Sequence, residues 1–173
     1  MTTPYVDPQT VHNPTTGGSP PASWGDTVRD NQQYFSTPPS VKAVRTALLS
    51  IAHNTQVALT LNATDEWDTD SLHSTTSNTS RITIPAGLGG KYHLIGNVFF
   101  GTGATGARSI EIRKNGSVDL STIQTDSAVG NWTGTNAVLS KLAAGDYVEL
   151  ICFQFTGAAV NVNGSFSAHW VSL

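Results

Sequence analysis

Four carboxylates, Asp65, Glu66, Asp68 and Asp70, stand close together around Trp67. Clustered oxygen ligands suit Ca²⁺, but the central glycine and terminal glutamate of an EF-hand loop are missing here. The segment is expected to form a solvated loop, a candidate contact for an ion or, through the Trp67 ring, for a host sugar. Three histidines, His73, His93 and His169, fall further along without a His-x-His or His-Glu-x-x-His spacing. Unlinked histidines of this kind are expected in polar-core or interface positions, so no metal is assigned. Cys152 lies inside the apolar run Val148–Phe153, where a small buried thiol is expected. Serines and threonines are abundant, yet Gly-x-Ser-x-Gly is absent and no nucleophile stands beside a His and an acid. Gly101-Thr102-Gly103-Ala104-Thr105-Gly106 lacks the Lys-Ser/Thr ending of a phosphate loop and reads as a turn between strands. The chain is expected to be non-enzymatic, without catalytic residues and without a cofactor.

Composition narrows the partners. Charged residues make up 12 % of the 173 residues, with nine basic side chains against twelve acidic ones. That share is about half the usual one for a soluble domain, and it leaves no basic patch for nucleic acid. The hydrophobic fraction of 38 % is enough for a packed core and too high for an extended disordered chain. No apolar run approaches the roughly 20 residues that cross a membrane, and the first residues lack the pattern of a secretory signal. No nucleic acid and no membrane are expected as partners.

The elements divide at about residue 40. Residues 1–22 carry Pro4, Pro8, Pro14, Pro20 and Pro21 with Gly17-Gly18 between them, a pattern of extended, turning backbone. A short helix is expected near 23–35, with Ser23 as its cap and Trp24, Val28 and Phe35 on one side. Pro38-Pro39 ends it. Beyond residue 40 the chain reads as short strands. They are Val41–Arg45, Gln56–Leu61, Arg81–Ile84, Lys91–Gly101, Arg108–Arg113, Val118–Gln124, Ala137–Leu142, Asp146–Phe155 and Phe166–Leu173. Asn115-Gly116 marks a hairpin turn. Leu48–Ile51 fits either a strand or a short helix. This spacing indicates an all-β sandwich or jelly roll. Two strands are apolar on both faces: His93, Ile95 and Phe99 back the first, while Tyr147, Ile151 and Phe153 back the second. A monomeric sandwich leaves one face polar, so these six residues are expected at the interface of a closed oligomer.

Four stretches carry a resemblance to a known superfamily: Gly90–Phe100, Ile110–Gly116, Leu142–Leu150 and Gly164–Leu173. Together they resemble the C1q/TNF-like jelly-roll superfamily, over residues 41–173. Ser23–Asn31, Trp67–His73 and Asn78–Pro85 are similar to segments of bacteriophage fibre-like or decoration proteins. The resemblance implies a C1q/TNF-like jelly-roll sandwich with an extended N-terminal arm and a short helix. It also implies a homotrimer, a location in the virion and attachment to phage capsid or tail proteins. On that basis residues 1–40 are the expected anchoring arm, through Trp24, Val28, Tyr34 and Phe35, and residues 41–173 the trimeric head. The alternative is a tail-associated adhesin that recognises a bacterial surface glycan through exposed loops.

Overall fold

The computed structural model describes residues 22–173. The Pro-rich arm expected over 1–22 lies, except for its last residue, outside the described residues. Helix α1 spans Ala22–Ser36. Eight strands follow: β1 Ser40–Ile51, β2 Thr55–Ala58, β3 Trp67–Asp68, β4 Arg81–Thr83, β5 Gly90–Lys114, β6 Val118–Leu142, β7 Tyr147–Phe155 and β8 Val160–Ser172. All pairings are antiparallel, and the order is β2-β7-β5-β8-β1-β3, with β4 against β7 and β6 against β5.

The hairpin β5–β6 organises everything else. Each of its strands is 25 residues long, and Asn115 (φ 51°) and Gly116 (φ 71°) make the tight turn that the right-handed strand twist favours. On its other edge β5 pairs with β8 over Lys91–Phe100 and with β7 over Ala107–Lys114. One hairpin therefore serves two layers. The first is β3-β1-β8-β5-β6, built on the start of β5 and the end of β6. The second joins β2 and β4 to β7, the end of β5 and the start of β6.

Between the layers the chain turns a corner. Register breaks fall between Phe100 and Gly103, between Gly103 and Gly106, and between Gly106 and Arg108. The sequence reading expected a loop at Gly101–Gly106, with separate strands at Val118–Gln124 and Ala137–Leu142. Those residues belong instead to continuous strands, because glycine inside a strand permits the sharp bend a sandwich corner requires. Elsewhere the differences are smaller. Leu48–Ile51 completes β1, and β2 stops at Ala58, with Leu59 and Leu61 buried beyond it. The strand expected over Phe166–Leu173 begins earlier, at Val160, as β8. The acidic segment contributes the two-residue edge strand Trp67–Asp68.

Alternation fills the space between the layers. Tyr92, Leu94, Val98 and Phe100 from β5 are fully buried, facing Ile110, Ile112, Val148, Leu150 and Cys152 from the second layer. Gly96 falls on the same face, and a Cβ there would stand 2.3 Å from Leu150 Cδ1. Its missing side chain is the hole that Leu150 fills.

Helix α1 differs most from expectation. Among its described side chains Asn31 and Tyr34 are buried, while Phe35 is 60 % exposed. Tyr34 is 1 % exposed and belongs to the jelly-roll core, with its ring edge-on to Trp170 at 4.7 Å. Its own chain therefore covers this member of the expected anchoring set, whereas Phe35 stays exposed.

Candidate oligomer face

The outer face of the first layer carries matched rows of side chains, since residues directly opposite on paired strands point the same way. One row runs Leu139, His93, His169 and Ser40 across β6, β5, β8 and β1. The next runs Ala137, Ile95, Ser167, Lys42 and Trp67, which reaches β3. A third holds Thr135, Asn97, Ser165 and Val44, and a fourth holds Thr133, Phe99 and Asn163. Ile95 and Phe99 are half-buried, whereas Leu139 and Trp67 are exposed.

Polar contacts within the face fix its side chains. Thr135 Oγ1 donates to Asn97 Oδ1 at 2.7 Å, and Ser167 Oγ donates to the Ile95 carbonyl at 3.3 Å. Lys42 Nζ lies 2.9 Å from Glu66 and 5.6 Å from the centre of the Trp67 ring. The Trp67 ring is in turn 5.9 Å from that of His169. Partial burial, reinforced by neighbouring His93, lowers the His169 pKa. Lys91 and Lys141 stand opposite each other at one end of this face. Beyond them, a surface of apolar side chains, imidazoles and amides with the Lys42–Glu66 pair suits another protein surface better than open water.

The six residues expected at one interface do not share one face. His93, Ile95 and Phe99 lie on the first layer, while Tyr147, Ile151 and Phe153 lie on the second, on the far side of the core. Ile151 is 5 % exposed and already covered within its own chain, flanked by Ala58 and Glu111 in the ladder. Around it the second layer is charged and self-paired. Arg81 stacks over the Tyr147 ring at 4.0 Å and reaches Glu149 at 3.3 Å. Arg113 bridges Glu111 at 2.8 Å and Asp119 at 3.0 Å. Leu139, which the sequence reading did not single out, joins the first face. Its place in the Ala137–Leu142 alternation was the available signal.

Each carboxylate of the acidic segment has a separate task. Asp65 Oδ2 is hydrogen-bonded to His73 Nδ1 at 3.0 Å, and Glu66 pairs with Lys42. Asp68 accepts the backbone N–H groups of Leu72 and His73, each at 2.9 Å. Asp70 is buried and accepts from Thr69 Oγ1 at 2.8 Å. Among the described residues no three metal-ligating side chains converge. Trp24 and Val28, assigned to anchoring, are half-buried on α1.

No family model matches the sequence, and no curated protein matches it either. Solved structures do match. The globular domain of the zebrafish complement 1qA protein aligns with a TM-score of 0.57 at 13 % identity, over 77 % of this chain and 97 % of that one. PRD1 vertex protein P5 aligns with a TM-score of 0.58 at 17 % identity, over 77 % and 97 %. Eiger TNF from S. frugiperda aligns with a TM-score of 0.57 at 13 % identity, over 78 % and 95 %. At these identities the likeness concerns the fold, and the fold is a C1q/TNF-like jelly roll.

Proposed function

We propose that the chain is a non-enzymatic bacteriophage virion structural protein, attached to capsid or tail by its N-terminal segment and presenting a homotrimeric jelly-roll head. The observation that carries the proposal is the half-apolar first-layer face, with Leu139 and Trp67 exposed and Ile95 and Phe99 only half-covered within one chain. Three copies related by a closed symmetry cover such faces without leaving a free one. The likeness to a vertex protein supports the virion setting. Since Tyr34 is taken up by the head, attachment in this proposal falls to residues 1–21 and to Trp24, Val28 and the exposed Phe35 of α1.

Native mass spectrometry of the full chain tests the assembly, and a species of three chain masses is expected. Ile95→Asp places a charge in the proposed seam and should yield folded monomers. A monomeric parent chain, or an undiminished trimer in the variant, would refute the seam. Deleting residues 1–21 should leave trimers intact and abolish incorporation into particles.

A second reading leaves Trp67, exposed beside Lys42, outside the trimer seam as part of a receptor-binding head. An aromatic face beside a charged pair is a stacking platform for a sugar. Saturable binding of purified protein to bacterial host cells, lost in Trp67→Ala, would establish it. Absence of binding leaves the structural reading in place.

A further inference from the structure

Arg108 is the one described arginine without a partner. Arg29 pairs with Asp26, Arg45 donates to Thr60 and Asn62, Arg81 reaches Glu149, and Arg113 bridges Glu111 and Asp119. The Arg108 side chain is fully buried, and none of Nε, Nη1 and Nη2 finds a hydrogen-bond partner. Burial lowers the pKa of this guanidinium, but arginine keeps its proton in proteins. A full positive charge therefore sits inside the protein without compensation from the described residues, an arrangement that costs far more than a paired charge.

The neighbours of Arg108 do not supply the missing anion. Its ladder partners are Thr125 and Gln154. Gln154 faces elsewhere: its Nε2 donates to the Ile51 and Ala158 carbonyls, and its Oε1 accepts from Thr156 N and Oγ1. Above the guanidinium lies the glycine-rich corner. A Cβ on Gly103 would stand 2.9 Å from Arg108 Nη2, 2.9 Å from Val160 Cγ2 and 3.6 Å from Thr156 Oγ1. Gly103 is thus a thin cover over the charge. Flanking residues Gly101–Gly106 carry nothing bulkier than threonine, and the β5–β6 register there is interrupted.

We propose that Arg108 forms the floor of a binding site for a small monovalent anion of halide size, admitted through the glycine-rich corner. The guanidinium supplies charge and up to five N–H donors. The Val160 methyl forms an apolar wall, while the Thr156 hydroxyl donates to Gln154 Oε1 and leaves the guanidinium as the donor set. Complete burial under one glycine excludes larger anions, and the interrupted ladder lets the corner yield as the ion enters.

The test uses the full chain in sodium chloride and in sodium gluconate at matched ionic strength. Chloride should raise the melting temperature saturably, by about 5 °C at roughly 100-fold excess over its dissociation constant. Gluconate, too large to enter, should not. Arg108→Met removes the charge while keeping an unbranched chain, and it should abolish the chloride increment. Equal melting of the parent in both salts would overturn the site, as would an increment that survives in Arg108→Met. If that variant does not fold, Gly103→Ala retains the arginine while placing a methyl against Nη2. Chloride-35 line broadening should then be saturable for the parent and reduced for Gly103→Ala, and equal broadening in both overturns the proposal.

Discussion

Replacing Tyr34 with alanine asks whether α1 is part of the head or only tethered to it. The ring is 1 % exposed and meets Trp170 edge-on with centroids 4.7 Å apart. Removing a buried aromatic side chain costs about 3–5 kcal/mol, because lost transfer energy and the remaining cavity add. For a domain of this size each kcal/mol moves the melting temperature by about 2–4 °C, so a fall of roughly 6–20 °C is expected. The helix should also loosen, since about four turns are marginal alone and Tyr34 is its most buried described side chain. Differential scanning calorimetry at fixed protein concentration measures the first effect. Trp170 emission reports the second through its blue shift while the indole stays 8 % exposed. It is taken as the difference from a Trp170→Phe reference, because Trp24, Trp67 and Trp132 also emit. Phe35→Ala is the internal control: at 60 % exposure it should cost about 1 kcal/mol or less. A Tyr34→Ala melt within 2 °C or so of the parent would show that the helix lies outside the cooperative unit and refute the docking argument.

Two further outcomes follow from buried or paired groups. Asp146 Oδ2 lies 2.6 Å from Lys114 Nζ, and the carboxylate also accepts from Asn115 Nδ2 and Ala143 N at 2.8 and 2.7 Å. These contacts, led by that with Lys114, hold its pKa down at about 2. The folded pKa is depressed, so this stabilisation is present above about pH 4 and is lost as pH falls toward 2. Asp146→Asn should cost about 1–3 kcal/mol at pH 7 and little at pH 2, read from urea midpoints at the two values. Burial pushes the Cys152 thiol up to about 12, so a thiol reagent at pH 8 should label the native chain only as fast as it unfolds, and rapid labelling would contradict the burial.

Much of the fold was legible because strand alternation and turn chemistry are local signals. Tyr92 to Phe100 sorted correctly into a buried and an outer face, and Asn115-Gly116 marked its hairpin without any tertiary knowledge. The long β5–β6 strands were not legible, since a glycine run spells a turn to any local rule while a sandwich corner uses it as a bend. The helix misled for a related reason. Phe35 is the more apolar residue, but Tyr34 falls on the docking side, and only the position of Trp170 decides between them. The oligomer face was half legible. Apolarity on both sides of a strand signals a covering partner, yet Ile151 obtains its cover from β2 and β5 of its own chain. Arg108 shares a face with Ile110 and Ile112 by strand alternation, so the period placed it toward the core while its charge argued for the surface.

The shared hairpin has a consequence for how the protein comes apart. Because β5 and β6 run unbroken through both layers, neither layer possesses a private frame that could open while the other stays closed. Most of the ladder pairs partners far apart in the chain, such as β1 with β8 and β5 with β7. Such a topology is slow to assemble, since long loops must close before any contact rewards the closure. It also merges what two sheets might otherwise keep as separate foldons. Amide protons at Leu94 and at Ile112, on opposite sides of the corner, should therefore exchange through the same global opening.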